Sequence, residues 1–390
     1  MRICLVYDCL FPYTIGGAER WYRALGERLA RDGHTVTYLT LRQWERSERP
    51  EVPGVRVVPV GPRLELYSDG RRRIAPPLVF GAGVLAHLLR HGRDYDVVHT
   101  ASFPYFSLLA AAASRRLGGF RLVVDWHEVW SRDYWREYLG RAGSLGYAVQ
   151  LLCARVPQRA FCFSRLHAER LKGEGLRGEP ALLRGEYAGP LERPRPEPAE
   201  QSLVFAGRHI PEKRVPALVE AMAVLRERAP QLRLDVFGDG PDRPEVERRV
   251  AALGLEDSVR VHGFVPAEQV EWALRRALCM VLPSRREGYG MVVVEASAAG
   301  TPSVVAAGPD NAAVELVDEG ENGFLARSAE PVDLAAAILR VLDAGPALRE
   351  RTADWFERNA RELSLESSLE TVLGAYRRSS SEKTAPISSR

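Results

Sequence analysis

The chain has 390 residues, 46% of them hydrophobic, and 54 basic against 51 acidic side chains for a formal net charge of +3. That length exceeds what one core usually supports and predicts two domains of ordinary globular composition. No apolar run reaches the length of a membrane span, and the N-terminal stretch MRICLVYDCL is too short and too interrupted for a signal peptide. Cys4, Cys9, Cys153, Cys162 and Cys279 form no C-x2-C pair and leave one over, which argues for a reducing compartment and against a zinc site. A cytoplasmic protein is expected.

Residues 2–7 read as a first buried strand, followed by a sharp loop that ends in Gly16-Gly17. From Ala18 onward Trp21, Leu25 and Leu29 recur at spacing four on one helical face. Residues 35–40, 55–59, 97–100 and 121–124 read as further strands, with helices at 78–89 and 106–116. Strands alternating with helices imply a parallel sheet covered on both faces. Asp125-Trp126-His127-Glu128 ends the strand at 121–124 and places His127 at the cleft edge beyond it, where a solitary histidine is more often structural than a ligand. Trp126, Trp130, Tyr134 and Tyr138 recur every four residues, with Trp135 adjacent. They suit either a helix face packed into the core or an aromatic platform for an acceptor.

A Pro-rich connector, 190–198, leads to a second round of the same grammar. Strands are expected at 202–206, 233–237, 259–262, 279–282 and 303–305, and helices at 216–228, 244–253, 267–276 and 332–344. Ligands gather beyond the C-terminal strand ends of such sheets, so two facing sheets are expected to enclose a cleft. Charge divides unevenly: the first 198 residues hold 30 basic and 21 acidic side chains, the remainder 24 and 30. Arg63, Arg71, Arg72, Arg73, Arg90, Arg93, Arg115 and Arg116 make the first half basic, which suits peripheral contact with an anionic membrane at its inner face or an acidic acceptor, and equally a solvated Arg-rich surface with no partner. They are scattered, and no nucleic-acid motif accompanies them.

Two places carry chemistry. Only Lys172, Lys213 and Lys383 among the basic residues are lysine, and Lys213 falls in FAGRHIPEKRV just after an apolar strand. A compact ammonium beside the planar guanidinium of Arg208 suits a crowded phosphate site. The second place is SRREGYGMVVVEASAAGTPSVV, where Glu287 and Glu295 stand eight residues apart. Glu295 would lie inside a helix whose N-terminus is beside Glu287, and Gly288 and Gly290 permit free N–H groups there. That layout suits a phosphate-bearing, hydroxyl-rich ligand; an ordinary loop–helix junction with surface glutamates is the plain alternative. Gly16-Gly17 precedes the first helix in a similar way, although a tight turn alone would explain it.

The segment from Glu287 to Glu295 resembles the E-x7-E element of retaining glycosyltransferases with the two-domain GT-B fold, family 4 in particular. Gly207-Arg208-His209-Ile210-Pro211-Glu212-Lys213 resembles that family's G-R-x4-K, and the matches run in family order from Gly16-Gly17-Ala18-Glu19-Arg20 to Asn322-Gly323-Phe324-Leu325. The resemblance implies two Rossmann-like domains facing across a cleft: residues 1–195 for the acceptor, rejoined by a returning helix at 365–377, and residues 199–360 for the donor. It implies a hexose moved from a UDP- or GDP-sugar to a glycan, a lipid-linked or a small-molecule acceptor, with retention and without a metal or other cofactor. Arg208 and Lys213 would hold the donor diphosphate, and Glu287 the sugar hydroxyls. Amides around Tyr289, Gly290, Met291 and Val292 would orient the sugar, and Glu295 would accept from the ribose. His127 would hydrogen-bond the donor sugar, with Gly16 and Gly17 near the donor phosphate.

Three departures stand out: Arg184-Gly185-Glu186-Tyr187 where the family usually has Asn-Gly, Arg214 where Gly is common, and Gly308-Pro309-Asp310-Asn311 in place of Gly-x-x-Glu. Rival readings are a dinucleotide dehydrogenase, disfavoured because G-x-G-x-x-G is missing, and a non-catalytic GT-B module that binds a sugar nucleotide or glycan. A GT-B epimerase or phosphorylase is a third. Leu365, Leu369, Val372, Leu373 and Tyr376 form one apolar stripe, predicting that the last helix crosses back to the first domain. The polar run 379–390 is expected to lack structure.

Overall fold

The computed structural model describes residues 1–68 and 71–381, which group into two units. The first begins with β1 (Arg2–Val6), α1 (Gly17–Arg31), β2 (Thr35–Leu41) and β3 (Val55–Gly61). It continues through α2 (Ala75–His91), β4 (Val97–Ala101), α3 (Tyr105–Gly118) and β5 (Arg121–Trp126). It then adds α4 (Arg132–Leu139), α5 (Gly143–Ala154), β6 (Arg159–Cys162), α6 (Arg165–Gly173) and β7 (Ala181–Leu182). All neighbours in its sheet are parallel, in the order β3-β2-β1-β4-β5-β6-β7. Parallel strands are covered on both faces, which is why β1 is an unbroken apolar run with Ile3 to Val6 fully buried. Trp21, Leu25 and Leu29 of α1 are buried as their spacing predicts.

The aromatic spacing from 126 to 138 is not one helix. Trp126 ends β5, an irregular stretch follows, and α4 starts at Arg132 behind Ser131, whose hydroxyl accepts from the Tyr134 amide at 3.2 Å. The rings are nevertheless core, with Trp126, Tyr134 and Trp135 buried. Gln150 sits among them, accepting from Trp135 Nε1 at 2.9 Å and the Tyr105 hydroxyl at 2.8 Å and donating to the Trp130 carbonyl at 2.9 Å. A free aromatic platform is thereby replaced by a satisfied polar centre inside an aromatic cluster.

The second unit, Tyr187–Ser364, repeats the pattern with β8 (Ser202–Ala206), α7 (Val215–Leu225), β9 (Arg233–Phe237), α8 (Arg243–Leu253) and β10 (Val259–Gly263). Next come α9 (Ala267–Arg276), β11 (Cys279–Leu282), α10 (Met291–Ala298), β12 (Ser303–Ala306) and β13 (Gly323–Ala326), then α11 (Pro331–Ala344) and α12 (Ala347–Leu363). Its parallel sheet runs β10-β9-β8-β11-β12-β13. The Pro-rich connector belongs to this unit: Arg193 pairs with Glu350 and Asp354, each at 2.8 Å, so the division of contacts falls earlier, between Glu186 and Tyr187.

The last helix, α13 (Leu365–Ser381), joins the first unit. Leu369, Val372, Leu373 and Tyr376 are buried, Ser368 accepts from the Gly185 amide at 3.1 Å, and Arg121 donates to the Tyr376 carbonyl at 2.7 Å. The helix enters the stretch expected to lack structure as far as Ser381, and residues 382–390 lie outside the described residues. All five cysteines are buried thiols. Among the described residues no helix is long and apolar enough to cross a membrane.

Candidate active site

In the second unit the strand order reverses between β8 and β11, the place where an open parallel sheet opens a crevice at its C-terminal edge. Both predicted clusters follow these two strands. After β8 come Gly207 and Arg208, then a short 3-10 turn, Pro211–Lys213. After β11 come Glu287 and α10. The structure brings Lys213 and Glu287 together, Nζ to Oε1 at 2.5 Å, with both side chains mostly buried. A Cβ on Gly207 would stand 3.2 Å from Phe205 Cζ, tighter than ordinary packing, and 3.9 Å from Lys213 Cε, an ordinary contact. Arg208 is exposed and has no carboxylate partner among the described residues. The Lys213 charge is matched by Glu287, whereas the Arg208 guanidinium, on the same loop after β8, is left for an anionic ligand.

Glu287 is held by a two-residue strand, Arg286–Glu287, parallel to Asp310–Asn311. Asn311 fixes that strand by donating to the Ser284 and Ala306 carbonyls at 2.9 and 2.8 Å, while its oxygen accepts from the Ala313 amide at 3.0 Å. The segment that departs from the family pattern is thus what positions the glutamate. Tyr289 is buried, and Gly290 precedes α10 at φ +103°. A Cβ there would stand 2.5 Å from that of Ala313. Gly290→Ala is therefore expected to destabilise the second unit by about 1–3 kcal/mol and to weaken donor binding, read by thermal melting and nucleotide titration. Glu295 lies within α10, and its carboxylate, with that of Glu271, adds to the burial that pushes the Tyr187 phenol up to about 12.

Gly238 and Gly240 serve the turn itself: at φ +109° and +157°, their Cβ atoms would meet the Gly207 and His209 carbonyl oxygens at 1.9 and 2.3 Å. Arg214, where glycine is common in the family, adopts φ +53° in front of α7. That left-handed geometry costs a side-chain-bearing residue about 1 kcal/mol, which accounts for the glycine preference.

In the first unit Gly16 and Gly17 follow β1 and open α1 with no side-chain cap. The turn is not a bare anion site. Glu19 folds back, its Oε2 2.4 Å from a Cβ built on Gly16, and Glu186 Oε2 lies 4.0 Å from one on Gly17. Burial, with help from the Asp125 charge, pushes the Glu186 carboxyl up to about 7. A raised carboxyl favours the folded state below its unfolded value of 4.5, and that contribution disappears as pH rises through 7. Glu186→Gln, which cannot ionise, is expected to gain about 1–3 kcal/mol over the native protein at pH 8 and nothing at pH 4, measured by denaturant unfolding.

His127 follows β5, stacked on Phe163 with ring centroids 4.4 Å apart. Burial pushes it down to about 4 against the pull of Asp125, so the ring is neutral at neutral pH, and its buried Nε2 has no hydrogen-bond partner. A neutral imidazole with an unused ring nitrogen suits a ligand hydroxyl. Behind it, Asp125 is fully buried. Burial would raise its carboxyl, but His99, His127 and the Trp21 indole outweigh this and hold it low. His99 Nε2 stands 2.7 Å from Asp125 Oδ1, Trp21 Nε1 donates to Oδ2 at 2.7 Å, and the Tyr376 hydroxyl meets His99 Nδ1 at 2.5 Å. The sequence offered Asp125 and Tyr376 only as a strand end and a stripe member; burial alone reveals their link. Among the described residues no group of three His, Cys, Asp or Glu side chains is placed to hold a metal ion.

Comparison with known proteins matches residues 192–362 to the family model described as glycosyl transferases group 1 and residues 15–181 to glycosyltransferase family 4. The alpha-D-kanosaminyltransferase of Streptomyces kanamyceticus is 32% identical over 233 residues, 58% of this chain; the chain spans about half that relative's length, 55%. A sucrose-phosphate synthase from Thermosynechococcus elongatus superposes with a TM-score of 0.79 at 22% identity, covering 98% of this chain and 99% of that one. The Anabaena protein HepE, solved with UDP-glucose, superposes with a TM-score of 0.73 at 17% identity, covering 97% and 100%.

Proposed function

Since the chain belongs to the group 1 glycosyltransferases with the GT-B fold, we propose that it moves a hexose from a nucleotide diphosphate sugar to a glycan, lipid-linked or small-molecule hydroxyl, with retention at the anomeric carbon. The observation that carries this reading is the Lys213–Glu287 pair beside the free Arg208, at the reversal point of the second sheet. Arg208 and Lys213 take the diphosphate, and Glu287 and the amides from Tyr289 to Val292 take sugar hydroxyls. Glu295 takes the ribose. HepE, a neighbour in fold, carries UDP-glucose, which favours a uridine donor. Glu19 and Glu186 face the Gly16–Gly17 turn, so that turn suits hydroxyls better than phosphate.

In the transfer the acceptor oxygen bonds to the anomeric carbon as the bond from that carbon to the β-phosphate oxygen breaks. The acceptor proton passes to the departing phosphate, whose growing charge Arg208 and Lys213 stabilise. Those cations would supply the charge that a metal supplies in other transferases, so turnover is expected to survive excess EDTA. Complete loss in chelator with recovery in Mn²⁺ or Mg²⁺ would overturn that part. The reading is tested by incubating the protein with a panel of nucleotide sugars and following slow release of the nucleotide diphosphate. One donor should be hydrolysed well above the others, giving the anomer of retained configuration by NMR. Saturable nucleotide binding with no release from any donor would identify a binding module instead.

A further inference from the structure

A cavity of about 590 Å³ lies in the first unit between β3 and the C-terminal half of α2, lined by none of the candidate active-site residues. Gly83 of α2 comes so close to β3 that a Cβ on it would stand 1.9 Å from the Val60 carbonyl oxygen, and the groove follows this seam. Its apolar wall includes Val58, Val60 and Ala86, and its charge comes from Arg42, Arg46 and Arg90, with no carboxylate in the lining. His87 adds no charge, since burial and the neighbouring His91 push it down to about 4. Arg42 Nε is buried without a hydrogen-bond partner, and neither Arg46 nor Arg90 has an ion-pair partner among the described residues. The nearby acids are used elsewhere, Glu45 by Arg63 and Asp94 by His91.

Most of the arginines that make the first half basic on paper are otherwise engaged. Arg72 is buried against Asp8, Arg73 pairs with Glu65, and Arg115 donates to a backbone carbonyl. Among the described residues the groove gathers three arginines without an ion-pair partner, Arg42, Arg46 and Arg90, of which Arg42 and Arg46 stand outside the run of candidates. The face of α2 next to the groove is apolar and bare: Ile74, Leu78 and Leu89 are 68%, 47% and 53% exposed, with exposed Ala82 between them. From the helix start to Leu89 this stripe is about 20 Å long.

We propose that the groove and this face of α2 dock the first unit on an anionic membrane, with a lipid phosphate among Arg42, Arg46 and Arg90 and the stripe against the acyl boundary. Guanidinium forks match phosphate oxygens. A soluble phosphate would use the arginines but not the stripe, whereas a phospholipid surface supplies both the anion and the apolar boundary that an amphipathic interfacial helix takes. The inference does not depend on the transfer chemistry, since vesicle binding is read without turnover.

The full chain should float with phosphatidylcholine–phosphatidylglycerol vesicles and stay behind with phosphatidylcholine alone. Arg42→Gln, Arg46→Gln and Arg90→Gln combined should lower the association about 10²-fold. Arg46→Gln with Arg90→Gln, which spares half-buried Arg42, should lower it about 10-fold at unchanged melting temperature. Leu78→Ser with Leu89→Ser should weaken it on the same vesicles. Equal binding to neutral vesicles, no binding to either kind, or unchanged affinity in the double arginine variant would each overturn the proposal. So would saturable binding of inorganic phosphate, lost in that variant, without any preference for anionic vesicles.

Discussion

Arg208→Ala or Lys213→Ala should lower turnover about 10²–10³-fold, the loss expected when a donor to transition-state charge is removed. The two variants should differ in kind. Arg208 is exposed and without a carboxylate partner among the described residues, so its loss should leave stability unchanged and act on the chemical step alone. Lys213 is the partner of Glu287, and removing it strands a mostly buried carboxylate. Lys213→Ala should therefore cost about 1–3 kcal/mol of stability as well, and should weaken whatever Glu287 binds. Lys213→Ala combined with Glu287→Ala should recover part of the stability but none of the rate, because the two residues are coupled in folding and both are needed in the site. The check is kcat and KM on the preferred donor together with melting curves for all four proteins. Near-native rates in both single variants would remove the diphosphate assignment.

Ending the chain at Ser364 should leave the first unit unfolded. Four side chains of α13, Leu369, Val372, Leu373 and Tyr376, are at most 5% exposed, and burying each contributes about 1.5–3 kcal/mol. Their sum is of the order of a domain's whole stability. The truncation also removes the hydroxyl on His99, the carbonyl that accepts from Arg121 and the serine that accepts from Gly185. Tyr376→Phe keeps the ring and takes away only the hydroxyl, so it isolates the polar link: a loss of about 1–2 kcal/mol is expected. Solubility, near-UV circular dichroism and thermal melting read both variants. A chain ending at Ser364 that melts like the full protein would refute the role given to α13.

Much of the architecture was legible because periodicity reports burial. The run Ile3 to Val6, the spacing of Trp21, Leu25 and Leu29, and the α13 stripe from Leu369 onward each state which atoms must leave water, and the structure buries them, while Leu365 at the helix start is half-buried. The aromatic spacing from 126 to 138 misled because a four-residue interval can be met by a strand end, a loop and a helix in succession. Short, weakly patterned elements such as β7 and the strand Arg286–Glu287 have too few residues to show a period.

By itself the sequence determined the two parallel-sheet units, the return of the last helix and the residues after β8 and β11 that carry charge. These follow from local patterns: an apolar strand, a glycine turn, a charged residue at a set distance. Only the tertiary structure decided that Lys213 meets Glu287, that Asn311 holds the glutamate's strand and that Asp125 and Tyr376 share His99. It also decided that Arg72 is buried against Asp8 while Arg42 and Arg46 line a groove with Arg90. The physical reason is common to all of these. A side chain's charge can be read from its letter, but its partner is chosen by strands and loops far apart in the chain. Whether that charge is spent in a pair or left for a ligand depends on which of them the fold brings within hydrogen-bond reach.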